Sequence, residues 1–167
     1  SVKGARILDV APDQYVTDAL FNRDDIDYVS MDLYRENAQY SMDLTAMSFD
    51  DDSFDIVICY HTLEHIKDDG KAMREIYRVM KPGGWAILQV PLWADDTVED
   101  LDTPRADYLR LYGHSDHVRR YGKDFKDRLE AAGFKVTLDD YVRHLPAEQI
   151  RKYGLLPNED IYLCEKV

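Results

Sequence analysis

The stretch FDIVICYHTLEH, residues 54–65, begins with the most continuous apolar run of the chain. A run of this kind, rich in branched residues and bounded by polar ones, predicts a strand buried on both faces, as in a parallel sheet. The residues after it predict a helix over 68–80, capped by an aspartate and ended by KPGG (81–84), because Pro82 cannot continue a helix. A further strand follows at WAILQVP, residues 85–91. This strand, helix, strand order predicts one unit of a parallel sheet.

Segments on both sides of this unit continue the alternation. Apolar runs predict further strands at ARILDVA (5–11), IDYVSMDL (26–33), KVTLDDYV (135–142) and DIYLCEKV (160–167). Apolar residues at helical spacing predict helices within DQYVTDALFN (13–22), where Val16, Ala19 and Leu20 share a face, and within DFKDRLEAAGF (124–134). The sequence therefore predicts a single α/β domain over residues 1–167 with a mostly parallel sheet.

Residues 92–121 interrupt this alternation. They are rich in Asp, Arg, Tyr and His, and they predict a long irregular excursion rather than a linker. Because long segments of this kind in compact domains are usually functional, we interpret residues 92–121 as the substrate region.

Composition limits the classes of function that the chain can serve. Apolar residues make up 45% and charged residues 32% of the 167 residues, which is the profile of a globular domain. No apolar run is long enough to span a bilayer, so we expect no membrane insertion and a cytoplasmic location. The formal charge of −12 repels phosphate backbones, so nucleic acid is not expected as a partner.

Three carboxylates follow or end predicted strands of the first half. Asp9 ends the first strand, Asp32 ends the second, and Asp43 precedes the turn into FDIVICY. Asp32 follows Asp9 by 23 positions, close to the spacing at which an acidic residue accepts ribose hydroxyls in nucleotide-binding α/β units. In such sheets, ligands bind beyond the carboxyl ends of the strands. An adenosine-containing cofactor is the simplest ligand for this arrangement.

The residues HTLEH also fit the pattern H-x-x-E-H, which is typical of zinc peptidases when it lies on a helix. His61 would then share a helical face with His65, and Glu64 would activate a bound water. The pattern here follows a predicted strand, however, and no third ligand is evident from spacing. We therefore predict no metal site, and a zinc hydrolase is the weakest of the functional alternatives.

Several of these segments together resemble a known family. ILDVAPD, YVSMDL and the block from Phe49 to Pro91 look like the class I S-adenosylmethionine-dependent methyltransferases, in particular the methyltransferase type 11 group, and HVRRYGKDFKDRLEAAGF resembles the segment that follows in that group. The resemblance implies a Rossmann-like, doubly wound sheet with an antiparallel final strand. It also implies S-adenosylmethionine as the cofactor.

The resemblance further implies which residues hold that cofactor. Asp9 and the loop Ala11, Pro12 and Asp13 would lie against its methionine end. Asp32, with Leu33, would take the ribose hydroxyls. Asp43 and Leu44 would frame the adenine. Tyr60 and His61 would line the floor of the site.

The chain departs from the family in three places. The loop after the first strand reads A-P-D-Q-Y and has no glycine, although glycine usually lets the backbone approach the cofactor there. Only four residues precede the first predicted strand, so the N-terminus is short. Only ten residues separate Asp32 from Asp43, so the second crossover is short as well. The adenine side is therefore expected to be open or irregular.

Methyl transfer needs alignment and, where the acceptor keeps its proton, a base. The resemblance favours His117 as that base, with His61 as the second choice. The polar, aromatic excursion suits a small-molecule or glycan acceptor, such as a sugar or natural-product hydroxyl. The alternative is a methyltransferase-like scaffold that binds no cofactor and serves as a partner subunit, and the assembly could be a homodimer.

Overall fold

The predicted strand FDIVICY lies at the centre of a seven-stranded sheet. The computed structural model describes residues 2–34, 36 and 38–167, so Ser1, Arg35 and Asn37 lie outside the described residues. The strands are, in chain order, β1 (Arg6–Val10), β2 (Asp27–Asp32), β3 (Tyr40–Ser41), β4 (Phe54–Tyr60), β5 (Met80–Gln89), β6 (Leu92–Ala94), β7 (Val98–Glu99), β8 (Arg119–Gly122), β9 (Lys135–Asp139) and β10 (Ile161–Glu165).

Helices connect most of these strands. The α-helices are α1 (Gln14–Leu20), α2 (Asp69–Val79), α3 (Tyr108–Tyr112), α4 (Phe125–Ala131) and α5 (Ala147–Tyr153). Short 3₁₀ turns lie at Leu63–His65, Arg105–Asp107 and Tyr141–His144. Across the ranges that the structure describes, no helix combines the length and the apolar character needed to cross a membrane.

The sheet has the doubly wound order expected from the sequence. Its strands run β3-β2-β1-β4-β5-β10-β9. The pairs from β3 to β5 are parallel, whereas β10 is antiparallel to both β5 and β9. The predicted mostly parallel, Rossmann-like sheet with an antiparallel final strand is confirmed. The strand order reverses between β1 and β4, which makes the carboxyl ends of these two strands the switch point of the fold.

The strand β4 is central because both of its faces and both of its edges are covered. Ile58 pairs with Asp9 of β1 on one side and with Ile87 of β5 on the other. The helix α2 buries an apolar face that includes Met73 and Ile76 in the same core. Each such side chain removed from water contributes about 2 kcal/mol before entropy is counted.

Local signals set the ends of α2 as the sequence predicted. The Asp68 side chain accepts a hydrogen bond from the Lys71 backbone N–H at 2.9 Å and caps the first turn. At the other end the helix stops at Val79, because Met80 takes an extended backbone, with a φ of −74° and a ψ of 143°. Gly83, which has a left-handed φ of 78° that glycine adopts without strain, lies beyond the helix end. The strand that follows begins earlier than predicted, at Met80 instead of residue 85, because the KPGG turn stays within strand pairing.

The helix predicted within residues 13–22 is confirmed as α1, although none of its residues is buried. The connection between β9 and β10 holds a further helix, α5. One sequence expectation about local structure is wrong. The excursion at 92–121 is not irregular, because it contains α3 and contributes β6, β7 and β8. These three strands form a small second sheet in the order β6-β8-β7, which only non-local pairing can create.

The buried side chain of Arg119 fastens this small sheet to the exit of β4. Arg119 is 1% exposed. Its Nη1 donates to the backbone carbonyls of Leu63, at 3.0 Å, and of Ile66, and its Nη2 donates to that of Lys67 at 2.7 Å. Its Nε donates to Glu99 at 2.8 Å. One guanidinium therefore holds both the 63–67 turn and strand β7.

A second layer of ion pairs supports Arg119. Arg128 from α4 binds Asp69 at 2.9 Å and also contacts Glu99. The Tyr121 hydroxyl donates to the same Asp69 carboxylate at 2.6 Å. Because these groups are at least partly removed from water, each depends on its partners to offset the cost of burial. The cluster links α2, α4 and the small sheet.

We expect Arg119→Met to lower the free energy of unfolding by about 3–5 kcal/mol, because it removes the side-chain donor to the carbonyls of Ile66 and Lys67 and a charged partner of Glu99. The matched control is Arg120→Met in the same strand. Arg120 lies over the Trp93 ring at 5.1 Å, an interaction worth about 1 kcal/mol or less at a partly exposed site. Urea denaturation of both variants measures the difference, and equal losses would contradict the role given to Arg119.

Candidate active-site cleft at the switch point

A cleft of about 1140 Å³ lies at the carboxyl ends of β1, β2 and β4. One wall comes from the ends of these strands, including Ala11 and Asp32. The opposite wall comes from the excursion, including Arg105, Tyr108 and Asp116. The volume is at or above the upper end of the usual range for ligand sites, about 300–1000 Å³. The cleft can therefore hold one large ligand, or a cofactor together with a small acceptor.

The two residues that follow β1 and β4 both adopt left-handed backbone conformations. Ala11 has a φ of 51° and His61 a φ of 50°. The Ala11 N–H donates to the backbone carbonyl of Met31 at 2.8 Å, and the His61 N–H donates to the backbone carbonyl of Gln89 at 2.9 Å. Neighbouring strands therefore hold both turns. A side chain in this conformation costs about 1 kcal/mol or more, which the surrounding structure must offset. The turn that usually relies on glycine is thus made here with alanine.

Most residues predicted to hold the cofactor meet at this cleft. The ones that line it are Ala11, Asp32, Leu33, Asp43, Leu44 and His61. They come from the ends of three different strands and from the turn after β3. Only the fold brings them together, and it does so at the place that the strand order dictates.

Asp32 and Asp43 present carboxylates to the cleft from opposite sides of a short connection. Asp32 Oδ1 accepts the Tyr34 backbone N–H at 2.7 Å. Asp43 Oδ1 accepts both the backbone N–H and the hydroxyl of Thr45, each at 2.8 Å, and these bonds lower the pKa of the Asp43 carboxyl. In both residues Oδ1 makes all the side-chain hydrogen bonds found within the described chain. Oδ2 can therefore accept from a ligand hydroxyl or amine.

Asp9 lies behind the cleft rather than on its wall. It is 2% exposed, and its Oδ2 accepts the Tyr28 hydroxyl at 2.7 Å. Burial raises the pKa of Asp9 to about 6, while the Tyr28 hydrogen bond acts in the opposite direction. Tyr28 also contacts Thr17 of α1 at 3.2 Å. The group therefore ties β1, β2 and α1 together, and contact between Asp9 and a cofactor stays a prediction.

The remaining predicted cofactor residues also lie outside the cleft lining. Asp13 is exposed and caps α1 by accepting the Tyr15 backbone N–H at 2.8 Å. Pro12 lies between Asp13 and the cleft-lining Ala11. Tyr60 is the last residue of β4 and is half-buried, and burial raises the pKa of its hydroxyl. Their contacts with a cofactor stay predictions.

His61 and Glu64 form a pair at the exit of β4. The His61 side chain is 59% exposed and lines the cleft, whereas the Glu64 side chain is 2% exposed. The distance from His61 Nδ1 to Glu64 Oε1 is 3.5 Å. Glu64 Oε2 is buried and has no hydrogen-bond partner among the residues that the structure describes, and burial raises the pKa of the Glu64 carboxyl. A buried carboxylate behind an exposed imidazole is the arrangement that orients a histidine for proton transfer.

The H-x-x-E-H pattern does not adopt the helical geometry of a zinc peptidase. His61 has a left-handed φ, and only Leu63–His65 form a 3₁₀ turn. His65 instead faces His114 and His117 from the excursion, with ring centroids 5.8 and 4.8 Å away. Spacing in the sequence could not indicate these two histidines, because they are distant from His65 along the chain and only the fold brings them to it.

His117, the first sequence choice as the base, is not part of the cleft lining. It is half-buried among the other histidines, and this burial, with the neighbouring imidazoles, lowers its pKa to about 4. A base with so low a pKa removes protons weakly at neutral pH. His61 is better placed, since it lines the cleft.

The excursion brings several polar residues to the cleft. Thr103, Arg105, Tyr108 and Asp116 line it together with Lys67. Arg105 and Asp116 form an ion pair at 2.5 Å. The density of Asp, Arg, Tyr and His in this segment had predicted a functional region, but only the fold shows which of its side chains reach the cleft.

We expect the free energy of unfolding of Asp9→Asn to increase relative to that of the native chain as the pH rises from about 4 to about 6. Above about pH 6 the difference between the two free energies should stay constant. A carboxyl whose pKa rises from 3.8 to about 6 on folding contributes stability at low pH that is lost as the pH passes its folded pKa. The asparagine variant carries no such dependence. Urea denaturation across this pH range measures the gap.

Tyr28→Phe serves as the companion variant, because it keeps the carboxyl but removes the hydrogen bond that lowers its pKa. In Tyr28→Phe, the loss of stability that accompanies ionisation of Asp9 should therefore occur at higher pH than in the native chain. A gap between Asp9→Asn and the native chain that does not change with pH would contradict the account.

Comparison with known proteins agrees with the fold. A family model described as a methyltransferase domain matches residues 2–138. The sarcosine/dimethylglycine N-methyltransferase of Halorhodospira halochloris is 30% identical over 114 residues, which is 66% of this chain and 37% of that enzyme. The chain thus spans little more than a third of that curated relative.

Two solved structures share the fold at low sequence identity. An S-adenosylmethionine-dependent methyltransferase from Mesorhizobium loti superposes with a TM-score of 0.66 at 15% identity, covering 98% of this chain and 90% of that one. A methyltransferase from Archaeoglobus fulgidus, also described as dependent on that cofactor, has a TM-score of 0.66 at 16% identity, with 98% and 86% covered. The match to the family model, which extends over most of the chain, shows that it belongs to the S-adenosylmethionine-dependent methyltransferases of class I.

Proposed function

We propose that the chain is the catalytic domain of a methyltransferase that transfers a methyl group from S-adenosylmethionine to a hydroxyl of a small polar acceptor. The observation that carries the proposal is the pairing of two features on one cleft. The carboxylates of Asp32 and Asp43 lie on one side, and the His61–Glu64 pair lies at the exit of β4. The first feature suits an adenosine-containing cofactor and the second suits proton removal from an acceptor.

The residues of the cleft fit the cofactor. Asp32 ends β2, and its Oδ2 is able to accept the ribose hydroxyls. Leu44 is buried and offers an apolar surface, and the neighbouring Asp43 can accept from the exocyclic amine of the adenine. The left-handed turn at Ala11 supplies the sharp bend that lets a ligand approach the end of β1. When bound, the cofactor supplies an activated methyl group.

The chain itself contributes alignment and a proton acceptor. We assign the base to His61, because it lines the cleft and His117 does not. With Nδ1–H donated to ionised Glu64, the Nε2 lone pair of His61 can accept the acceptor's hydroxyl proton as its oxygen attacks the methyl group. Glu64 is a positioning residue, since it acts through His61. Its protonation would reverse the hydrogen bond and remove the lone pair from Nε2.

The excursion suits an acceptor with several polar groups, such as a sugar or a natural-product hydroxyl. Thr103 and Tyr108 supply hydroxyl-bearing side chains, and Lys67 and Arg105 supply positive charge to an otherwise acidic chain. Nucleic acid fits poorly, because the net charge of −12 opposes phosphate-rich ligands.

A methyltransferase-like scaffold without cofactor is the second candidate function. The observation that favours it is the loop Ala11, Pro12 and Asp13, where Pro12 lacks an N–H and Asp13 adds an exposed carboxylate. Such a subunit would keep the methyltransferase fold but would not bind S-adenosylmethionine. Cofactor binding therefore separates the two functions.

We expect S-adenosylhomocysteine, the product form of the cofactor, to bind one site per chain in calorimetry. Asp32→Asn should weaken this binding about tenfold or more, because a hydrogen bond to a charged group contributes about 1.5–3 kcal/mol. Asp24→Asn is the control, since Asp24 is exposed and does not line the cleft. No binding by the native chain would favour the scaffold.

We expect a screen with tritiated S-adenosylmethionine to label small hydroxyl compounds or glycans rather than RNA. With an acceptor in hand, His61→Asn should lower kcat about 100-fold or more, by a factor larger than any change in its S-adenosylhomocysteine affinity measured by calorimetry. His144→Asn, far along the chain and outside the cleft lining, is the control. Labelling of RNA alone would overturn the proposed acceptor.

Glu64→Gln tests the positioning role. Its amide oxygen can still accept from His61, so kcat should fall less than in His61→Asn. In the native chain, protonation of Glu64 should contribute to the fall of kcat at acid pH. This contribution should be absent from the pH profile of kcat in Glu64→Gln. An unchanged pH profile would contradict the role of Glu64.

A further inference from the structure

Three histidines form a cluster beside the cleft that the proposed methyl transfer does not use. His65 comes from the turn after β4, and His114 and His117 come from the segment between α3 and β8. One ring nitrogen from each lies within 4.8 Å of the others. The ring centroids of His114 and His117 are 4.6 Å apart, and those of His65 and His117 are 4.8 Å apart. Segments distant in sequence thus converge on one point.

The donor set suits a divalent transition metal. Neutral imidazole nitrogens bind zinc at about 2.0–2.1 Å, and three protein ligands with a water in the fourth position are typical of open zinc sites. His65 and His114 are exposed and His117 is half-buried. Rotation of the two exposed side chains can therefore bring the nitrogens together without moving the core. His65 also lines the cleft, so an ion held here would lie at its edge.

The backbone around the cluster already orients two of the rings. His65 Nδ1 lies 3.2 Å from the Asp116 carbonyl oxygen, so an Nδ1–H can donate to it and leave Nε2 free to bind a metal. Metal-binding histidines commonly donate their other ring N–H to a backbone carbonyl in this way. His114 Nδ1 accepts the Asp116 N–H at 3.2 Å, a bond that His114 would exchange for the metal.

Ordinary packing explains the cluster less well. Buried histidines usually gain a carboxylate or backbone partner for each ring. His117, by contrast, faces two other imidazoles, and within the described residues its ring nitrogens have no hydrogen-bond partner. Asp116, the nearest carboxylate in sequence, is paired with Arg105 at 2.5 Å. A cation shared by the three rings would satisfy the nitrogens that the protein leaves unpaired.

We propose that His65, His114 and His117 bind one divalent transition-metal ion, with Zn²⁺ as the best match. The site is distinct from the H-x-x-E-H zinc motif, since His61 is not a ligand and Glu64 is not its base. It does not depend on the proposed methyl transfer, because none of its ligands is assigned to the cofactor or to proton removal.

The test is calorimetric titration of the metal-free chain with Zn²⁺ near neutral pH. We expect one ion per chain in the micromolar range or tighter. His114→Ala and His117→Ala should each weaken binding at least about tenfold, since loss of even an outer partner of a metal ligand typically costs 10–100-fold. His144→Ala is the matched control, because His144 is exposed and pairs with Asp140 instead.

Absorption of the Co²⁺-substituted chain gives a second readout. Ligation by three histidines and water should produce the visible bands of four-coordinate Co²⁺, and the His114→Ala and His117→Ala variants should lose them. Circular dichroism of the variants confirms folding, and His114→Ala removes only an exposed side chain. Absence of Zn²⁺ binding by the native chain, or equal binding by both cluster variants and the control, would overturn the proposal.

S-adenosylhomocysteine titrations of the same His114→Ala variant keep the two proposals separate. Cofactor affinity should be unchanged when the metal site is lost. Metal binding without cofactor binding would sink the proposed function alone, and the reverse result would sink the metal site alone.

Discussion

The buried guanidinium of Arg119 is the interaction on which the cleft depends. It satisfies the carbonyls of the turn that follows β4 and pairs with Glu99 of the small sheet, so it fixes one wall of the cleft relative to the other. A charge that is 1% exposed is stable only with such complete hydrogen bonding. The fold therefore places this buried charge where the central sheet meets the excursion, and it holds the turn that carries Glu64 and His65.

Two strand ends then form the cleft without the glycine that normally allows it. Ala11 and His61 both take left-handed φ values, and both are held by backbone hydrogen bonds to neighbouring strands. Strain of this kind persists where the surrounding structure fixes the backbone, and it is often found at functional sites. The glycine-free loop thus preserves the turn, although it changes the chemistry that the loop offers a ligand. Asp32 and Asp43 supply the polar contacts on the other side.

The central sheet could be predicted from sequence because its signals are local. FDIVICY is apolar except for Asp55, Asp68 caps the start of α2, and the KPGG segment follows its end. The same holds for Asp32, whose spacing from Asp9 pointed to a ribose. The small sheet could not be predicted, because β6, β7 and β8 are short and become strands only by pairing with one another. The histidine cluster and the Arg119 contacts were hidden for the same reason, since no spacing rule links Leu63 to Arg119.

Hydrogen exchange with and without S-adenosylhomocysteine tests the central claim most directly, because it reports where the cofactor binds as well as whether it does. The account predicts slower exchange of backbone N–H groups at the ends of β1, β2 and β4 and around Asp43, with little change in α5 and β9. Protection confined to other regions, or no protection at a saturating concentration of S-adenosylhomocysteine, would contradict the assignment of the switch-point cleft as the cofactor site.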